Sequence, residues 1–100
     1  MNIHNKGTLI KFWTRHADSK KSLQFWYNDV RSKSWQKPNN VLKEYAASDI
    51  IANDRVVFDI KGNRYRLVAS VNYQKGWVFI KFIGTHAEYD KIDADTIEVY

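Results

Sequence analysis

The feature that most narrows the fold is a change of apolar period at Asp54. Beyond it, the residues read as strands. Arg55-Val56-Val57-Phe58-Asp59-Ile60 is one, and Lys61-Gly62-Asn63 is its turn. Arg64 to Asn72 is a second, Gln74-Lys75-Gly76 the next turn, and Trp77 to Ile83 a third, which Gly84-Thr85-His86 leaves. Strands joined by turns this short pair antiparallel, because a parallel pair needs a crossover of a dozen residues or more. The C-terminal half is therefore an antiparallel meander. Ala87 to Tyr100 is expected to be a short helical turn or an extended piece, and Asn2 to Asn5 is a candidate extra strand.

Ahead of Asp54 the spacing is helical. Leu9, Phe12 and Trp13 fall at i, i+3 and i+4, with Thr8 as the expected N-cap. Leu23, Trp26, Tyr27, Val30 and Ser34 predict a helix of about four turns. Pro38 opens a short helix from Asn39 to Tyr45, with Val41, Leu42 and Tyr45 as its apolar side. Helices first and a meander afterwards predict an α+β fold: an antiparallel sheet of three to four strands with the N-terminal helices on one face.

One hundred residues fit a single domain spanning 1–100. A chain this long buries roughly 65% of its unfolded surface, enough for one core without a metal or disulfide. Cysteine is absent, which excludes disulfide scaffolds, thiolate zinc sites and cysteine nucleophiles. His4, His16 and His86 lack the close pairing of a zinc site. There is no glycine-rich phosphate loop, dinucleotide fingerprint or nucleophile elbow, so no cofactor and no metal are expected. No apolar run is long enough for a membrane span, and Met1 to Lys6 lacks the apolar stretch of a secretory signal; both predict a cytoplasmic protein.

Charge points to an anionic partner. Sixteen Lys and Arg against eleven Asp and Glu leave a net charge of +5, which favours nucleic acid. Six basic residues and one acid, Asp59, lie between Arg55 and Lys81, whereas Glu88 to Tyr100 holds five acids and one base. Alternation places Tyr65, Leu67, Ala69 and Val71 on one face of their strand and Arg64, Arg66, Val68 and Ser70 on the other. In the next strand Trp77, Phe79, Lys81 and Ile83 alternate with Val78, Ile80, Phe82 and Gly84. An unpaired guanidinium is costly to bury, so Arg64 and Arg66 are expected to face solvent or an anion. Keeping an open sheet face soluble would explain them equally.

The densest chemistry follows the third strand, in Gly84-Thr85-His86-Ala87-Glu88-Tyr89-Asp90-Lys91. Imidazole changes charge near neutral pH, which makes His86 the candidate proton-transfer group. Tyr89 can hydrogen-bond a phosphate or stack on a base. The bland alternative has His86 ending the strand and Tyr89 packing on the core.

The stretch from Arg55 to Val68, containing Lys-Gly-Asn-Arg-Tyr-Arg, and the stretch from Val78 to Asp93, containing Gly-Thr-His-Ala-Glu-Tyr-Asp, resemble the HigB-type toxins of bacterial type II toxin–antitoxin systems, within the RelE-like superfamily. Phe12-Trp13 and Phe25-Trp26-Tyr27 extend the resemblance over most of the chain. It implies a small metal-independent endoribonuclease (an mRNA interferase) that cuts mRNA on the ribosome and stops translation. It also implies a cognate helix-turn-helix antitoxin, with operator DNA contacted only through the complex, and a small antiparallel sheet with helices on one face. By position, Arg66 resembles the phosphate-stabilising arginine of RelE-like toxins and Tyr89 their C-terminal catalytic tyrosine. Lys61, Arg64, Lys81 and Lys91 would add positive field for RNA. Lys11, Arg15, Lys20, Lys21, Arg31 and Lys33 could contact ribosomal RNA phosphates or simply solubilise the helices. The competing readings are a non-catalytic RNA-binding or regulatory module using the same basic sheet face, and a toxin-derived interaction protein without activity.

Overall fold

The computed structural model describes residues 1–98. Its elements in chain order are β1 (Asn2–His4), α1 (Lys6–Arg15), a 3₁₀ turn (Ala17–Ser19), α2 (Lys20–Arg31), α3 (Pro38–Glu44), β2 (Asp49–Ile51), β3 (Arg55–Ile60), β4 (Tyr65–Asn72), β5 (Trp77–Thr85) and α4 (His86–Tyr89). The fold is α+β. The sheet has five strands rather than three to four, ordered β1-β5-β4-β3-β2. All neighbours are antiparallel except β1, which runs parallel to β5.

The core lies between the helices and one sheet face. Leu9 and Phe12 of α1, Leu23, Trp26 and Val30 of α2, and Val41 of α3 meet Val56, Phe58, Leu67, Ala69, Val71, Val78 and Ile80 of the sheet. Phe58 anchors the aromatic part: the Trp26 ring sits edge-on at 5.3 Å and the Tyr45 ring at 5.2 Å, while Trp35 stacks at 6.2 Å. Aromatic pairs at such distances add to what area burial alone contributes.

Local chemistry sets the helix ends. α1 begins two residues before Thr8, with Asn5 at the cap in the left-handed region, φ 75°. Asparagine tolerates that conformation, and Asn5 Nδ2 also donates to the Ile80 carbonyl at 3.3 Å, tying the helix start to β5. α2 stops at Arg31, short of the expected four turns, and Ser34 lies outside it. Its last carbonyls are taken by other donors. The N-terminal ammonium donates to the Arg31 and Lys33 carbonyls, and the Ser32 hydroxyl donates to the Asp29 carbonyl at 2.6 Å. In α3, Pro38 occupies the first turn, and Asn40 Oδ1 accepts from the Gln36 and Lys37 amides at 2.8 and 3.2 Å.

A β-bulge reverses the expected phase of β5. Val68 pairs with Phe82 and Ala69 with Ile80, which leaves Lys81 as an extra residue. Ile83 therefore joins Val78 and Ile80 on the helix side, and Phe82 and Gly84 turn to the opposite face with Arg66.

That opposite face is partly covered. Arg55, 6% exposed, donates from Nη1 to the carbonyls of Ala94 at 3.0 Å and Ile97 at 2.7 Å, and from Nη2 to Glu98 at 3.1 Å. Asn53 Nδ2 adds a bond to the Asp95 carbonyl at 2.8 Å. The acidic segment after α4 thus folds back over the sheet and satisfies a buried guanidinium that would otherwise be very costly. Val99 and Tyr100, the end of the predicted last segment, lie outside the described residues. Among the described residues, no helix is long and apolar enough to cross a membrane.

Candidate active site

Arg66 projects from β4 on the face away from the helices, directly opposite Gly84 of β5. A Cβ on Gly84 would stand 2.5 Å from Phe82 Cζ and 3.2 Å from Glu88 Cβ, so the absent side chain lets Phe82 and α4 close in. Thr85 then starts α4 with a reciprocal cap. Its Oγ1 accepts from the Glu88 amide at 3.1 Å, and its own amide donates to Glu88 Oε1 at 2.8 Å. The Thr85 amide, donating to it, is the main reason the Glu88 carboxyl lies below its ordinary pKa. The cap fixes a helix of four residues, with His86 and Tyr89 three positions apart on one side.

The result is a small polar cluster. Arg66 Nη2 lies 3.4 Å from His86 Nε2, and the guanidinium carbon stands 5.1 Å from the centre of the Tyr89 ring. His86 and Tyr89 rings are 6.4 Å apart. His86 Nδ1 faces Asp90 Oδ2 at 3.3 Å. A guanidinium only donates, so a hydrogen bond across this contact requires Nε2 to accept and the ring proton to sit on Nδ1, where it faces Asp90. Both contacts are met by one neutral tautomer. Burial raises the Tyr89 phenol pKa, against the opposing pull of Arg66, so the hydroxyl stays protonated at neutral pH.

Arg66 is held from behind. Asp59, its cross-strand partner on β3, places Oδ1 2.9 Å from Nε as an ion pair without a well-directed hydrogen bond, and Asp49 of β2 lies 3.7 Å from Nη1. The outer N–H groups remain for an anion. Together these groups can cradle a phosphate between guanidinium, imidazole and phenol; an anion that draws the Arg66 N–H groups to itself would release the Nε2 lone pair for a proton.

The other predicted residues stand elsewhere. Arg64 does not accompany Arg66: it precedes the first residue of β4, and its Nη1 pairs with Asp18 in the α1–α2 connection at 2.8 Å. Lys61 reaches the same carboxylate at 3.5 Å. Tyr65 donates its hydroxyl to Asp18 as well, and these bonds, Tyr65's first, lower the Asp18 pKa to about 2. Lys81 is bound to Glu98 at 2.7 Å, which holds the Glu98 carboxyl below its usual pKa. Lys91 is exposed just past α4. Among the described residues, no three His, Asp or Glu side chains gather as a metal site would require.

Asp59 and Asp49 were not candidates from the sequence. Asp59 was legible in principle: folding β3 onto β4 about the turn after Ile60 puts it opposite Arg66. Asp49 was not, because its strand has three residues and no alternation to detect.

A mostly antiparallel sheet backed by helices on one face is the fold expected of the RelE-like class of toxins. The family model HigB_toxin, described as the RelE-like toxic component of a toxin–antitoxin system, matches residues 19–92, and the chain belongs to that family. Every residue in the cluster falls inside the matched span. The chain is also 26% identical over 94 residues, 92% of its length and 91% of the other protein's, to the mRNA interferase HigB of Escherichia coli O6:H1 strain CFT073.

Proposed function

We propose that this toxin is a metal-independent endoribonuclease that cuts mRNA, engaged on the ribosome, and that Arg66, His86 and Tyr89 act on the scissile phosphate. The reading is supported by the family, by the relative named an mRNA interferase, and above all by the 3.4 Å approach of Arg66 Nη2 to His86 Nε2 beside the Tyr89 ring.

The RNA's 2′-hydroxyl attacks the adjacent phosphorus and its proton passes to His86 Nε2. The O2′–P bond forms, the P–O5′ bond breaks, and the departing 5′ oxygen takes a proton from the Tyr89 hydroxyl, which solvent replenishes. The products are a 2′,3′-cyclic phosphate and a 5′-hydroxyl end. Proton transfer by a placed side chain contributes about 10²–10⁴-fold. The Arg66 guanidinium meets the charge that grows on the phosphoryl oxygens, worth about 3 kcal/mol by analogy with oxyanion-hole donors. Asp90, facing Nδ1, favours the tautomer whose Nε2 takes the proton once the phosphate has drawn the Arg66 N–H away.

An antitoxin partner follows from the family; that it is a helix-turn-helix protein, contacting operator DNA as a complex, is part of this proposal. Primer extension on mRNA from expressing cells tests the activity. Discrete new 5′ ends, growth arrest, and loss of both in Arg66→Ala and His86→Ala are the expected results. Smooth extension profiles would mean RNA binding alone, and two fully toxic variants would remove these residues from the site.

A further inference from the structure

The open face of the sheet continues past the Arg66 cluster, and four cross-strand partners form a row on it. His4 of β1 pairs with Phe79 of β5, Phe79 with Ser70 of β4, and Ser70 with Arg55 of β3. The His4 and Phe79 rings stack, with centres 4.6 Å apart and planes 15° from parallel, so His4 covers the side of Phe79 toward β1. Toward β4 the neighbour is Ser70, whose side chain is too short to reach across. Two strand spacings, roughly 9.5 Å, separate the backbones that carry Phe79 and Arg55, so the row has a notch over Ser70. A cleft of about 480 Å³ opens there, with Phe79, Ser70, Asn72, Asn53 and Asp54 in its lining. Phe79 and Ser70 are half-buried and the other three are exposed, so the notch is reachable from solvent.

A flat ring laid over Ser70 would lengthen the His4–Phe79 stack by one member, as an unstacked base does on an aromatic side chain. Groups for the edge of a base stand around the notch. Asn72 Oδ1 takes the Lys75 amide at 3.0 Å, which leaves the Asn72 side-chain N–H groups to donate, and the Asp54 carboxylate can accept. Cations for phosphates stand at the rim. Lys81 Nζ lies 5.8 Å from the centre of the Phe79 ring, and Lys75 Nζ lies 4.7 Å from that of Trp77, which meets Phe79 edge-on at 5.9 Å. The Glu98 carboxylate bridges Lys81 and Arg55, an anion held where a phosphate would find the same two cations. Ser70 lies four residues along β4 from Arg66 on the same face, about 13 Å away. An RNA strand with its scissile phosphate at Arg66 would therefore bring a flanking nucleotide to the notch.

The geometry points to the notch over Ser70 as a base-stacking subsite for single-stranded RNA, in which a nucleobase flanking the cleaved linkage lies against Phe79. The proposal rests on the reading of the chain as an RNA-cutting toxin and extends its substrate contacts beyond the Arg66 cluster.

Fluorescence anisotropy of a labelled single-stranded RNA, titrated with the full chain, tests the subsite. The probe carries 2′-O-methyl groups throughout, so it binds without being cut. Phe79→Leu keeps the position apolar but removes the aromatic face, and Ser70→Leu fills the notch while leaving Phe79 in place. Each is expected to weaken binding about five-fold or more, whereas Phe79→Tyr, which keeps the ring, should bind within about two-fold of the parent. On an abasic probe of the same backbone, parent and Phe79→Leu should bind alike. Three results overturn the proposal: no binding of the probe by the parent, parental affinity in both leucine variants, or an equal loss on the abasic probe, which would trace the effect to folding or to phosphate contacts. The two readings fail separately. Phe79-dependent binding of the methylated probe stands even if the protein cuts no RNA, whereas RNA cleavage with Phe79-independent binding overturns the subsite alone.

Discussion

Asp59 and Arg66 face each other across the β3–β4 ladder, and the Asp59 carboxylate lies 2.9 Å from the guanidinium Nε. The carboxylate touches nothing that reacts. It sets the direction of the arginine, so that Nη2 rather than Nε meets His86. Asp59→Ala should therefore lower RNA cleavage about ten-fold through a misplaced guanidinium. Both side chains are mostly buried, so the same change should cost about 1–2 kcal/mol in urea unfolding. Cleavage at the parental rate would show that Arg66 needs no such support.

Glu98 masks part of the positive field. It binds Lys81 at 2.7 Å and Arg55 at 3.1 Å, while Arg55 keeps the Ala94 and Ile97 carbonyls regardless. Glu98→Gln releases Lys81 toward a phosphate. RNA affinity should rise about two- to five-fold at low salt, and the salt dependence should steepen by about one ion. The gain should vanish when Lys81→Ala is added. An unchanged salt slope in Glu98→Gln would place Lys81 outside the RNA path.

The meander and its helical prelude were readable because apolar spacing reports directly which face is buried. Tyr65, Leu67, Ala69 and Val71 all face the helices as their alternation requires. Alternation fails where the backbone inserts a residue, and the bulge at Lys81 moved Ile83 and Phe82 to the faces opposite those expected. Arg64 was paired with Arg66 by the same rule, yet a residue just before a strand is not bound by its pleat, and Asp18 draws it away. Asp18 itself sits in a connection, where no periodicity applies. The approach of His86 and Tyr89 to Arg66 depends on a cap and a missing Cβ, Thr85 and Gly84, whose residue types are visible but whose consequence is tertiary.

Asp18 gives the fold an acid-sensitive tie between the α1–α2 connection and the start of β4. Bonds from Tyr65, Arg64 and Lys61 lower its pKa from 3.8 to about 2. A carboxylate depressed in the folded state contributes stability that is fully present above the unfolded pKa and is lost as pH falls through the folded one. The stability difference between the parent and Asp18→Asn should therefore be constant above about pH 5. It should shrink between pH 4 and pH 2, as the unfolded chain takes up its proton first. Urea unfolding at successive pH values measures this. A difference that persists undiminished at pH 2 would mean that the tie does not depend on ionised Asp18.

Gly84→Ala separates site geometry from global stability. The new Cβ would fall 2.5 Å from Cζ and 2.9 Å from Cε2 of Phe82, the far end of a half-buried ring that can swing aside. Overpacking that a neighbour can relieve should cost only about 1 kcal/mol. The same Cβ presses on Glu88, whose backbone and carboxylate hold the start of α4, so the shift is passed to His86 and Tyr89. RNA cleavage should fall well beyond what the stability loss explains, by at least ten-fold, since displacements of about 1 Å at reacting groups have effects of that size or larger. Shortening the obstructing ring with Phe82→Leu should restore much of the activity in the double variant. A Gly84→Ala protein that cuts RNA normally, or a double variant no better than the single, would show that the Gly84 contact does not position α4.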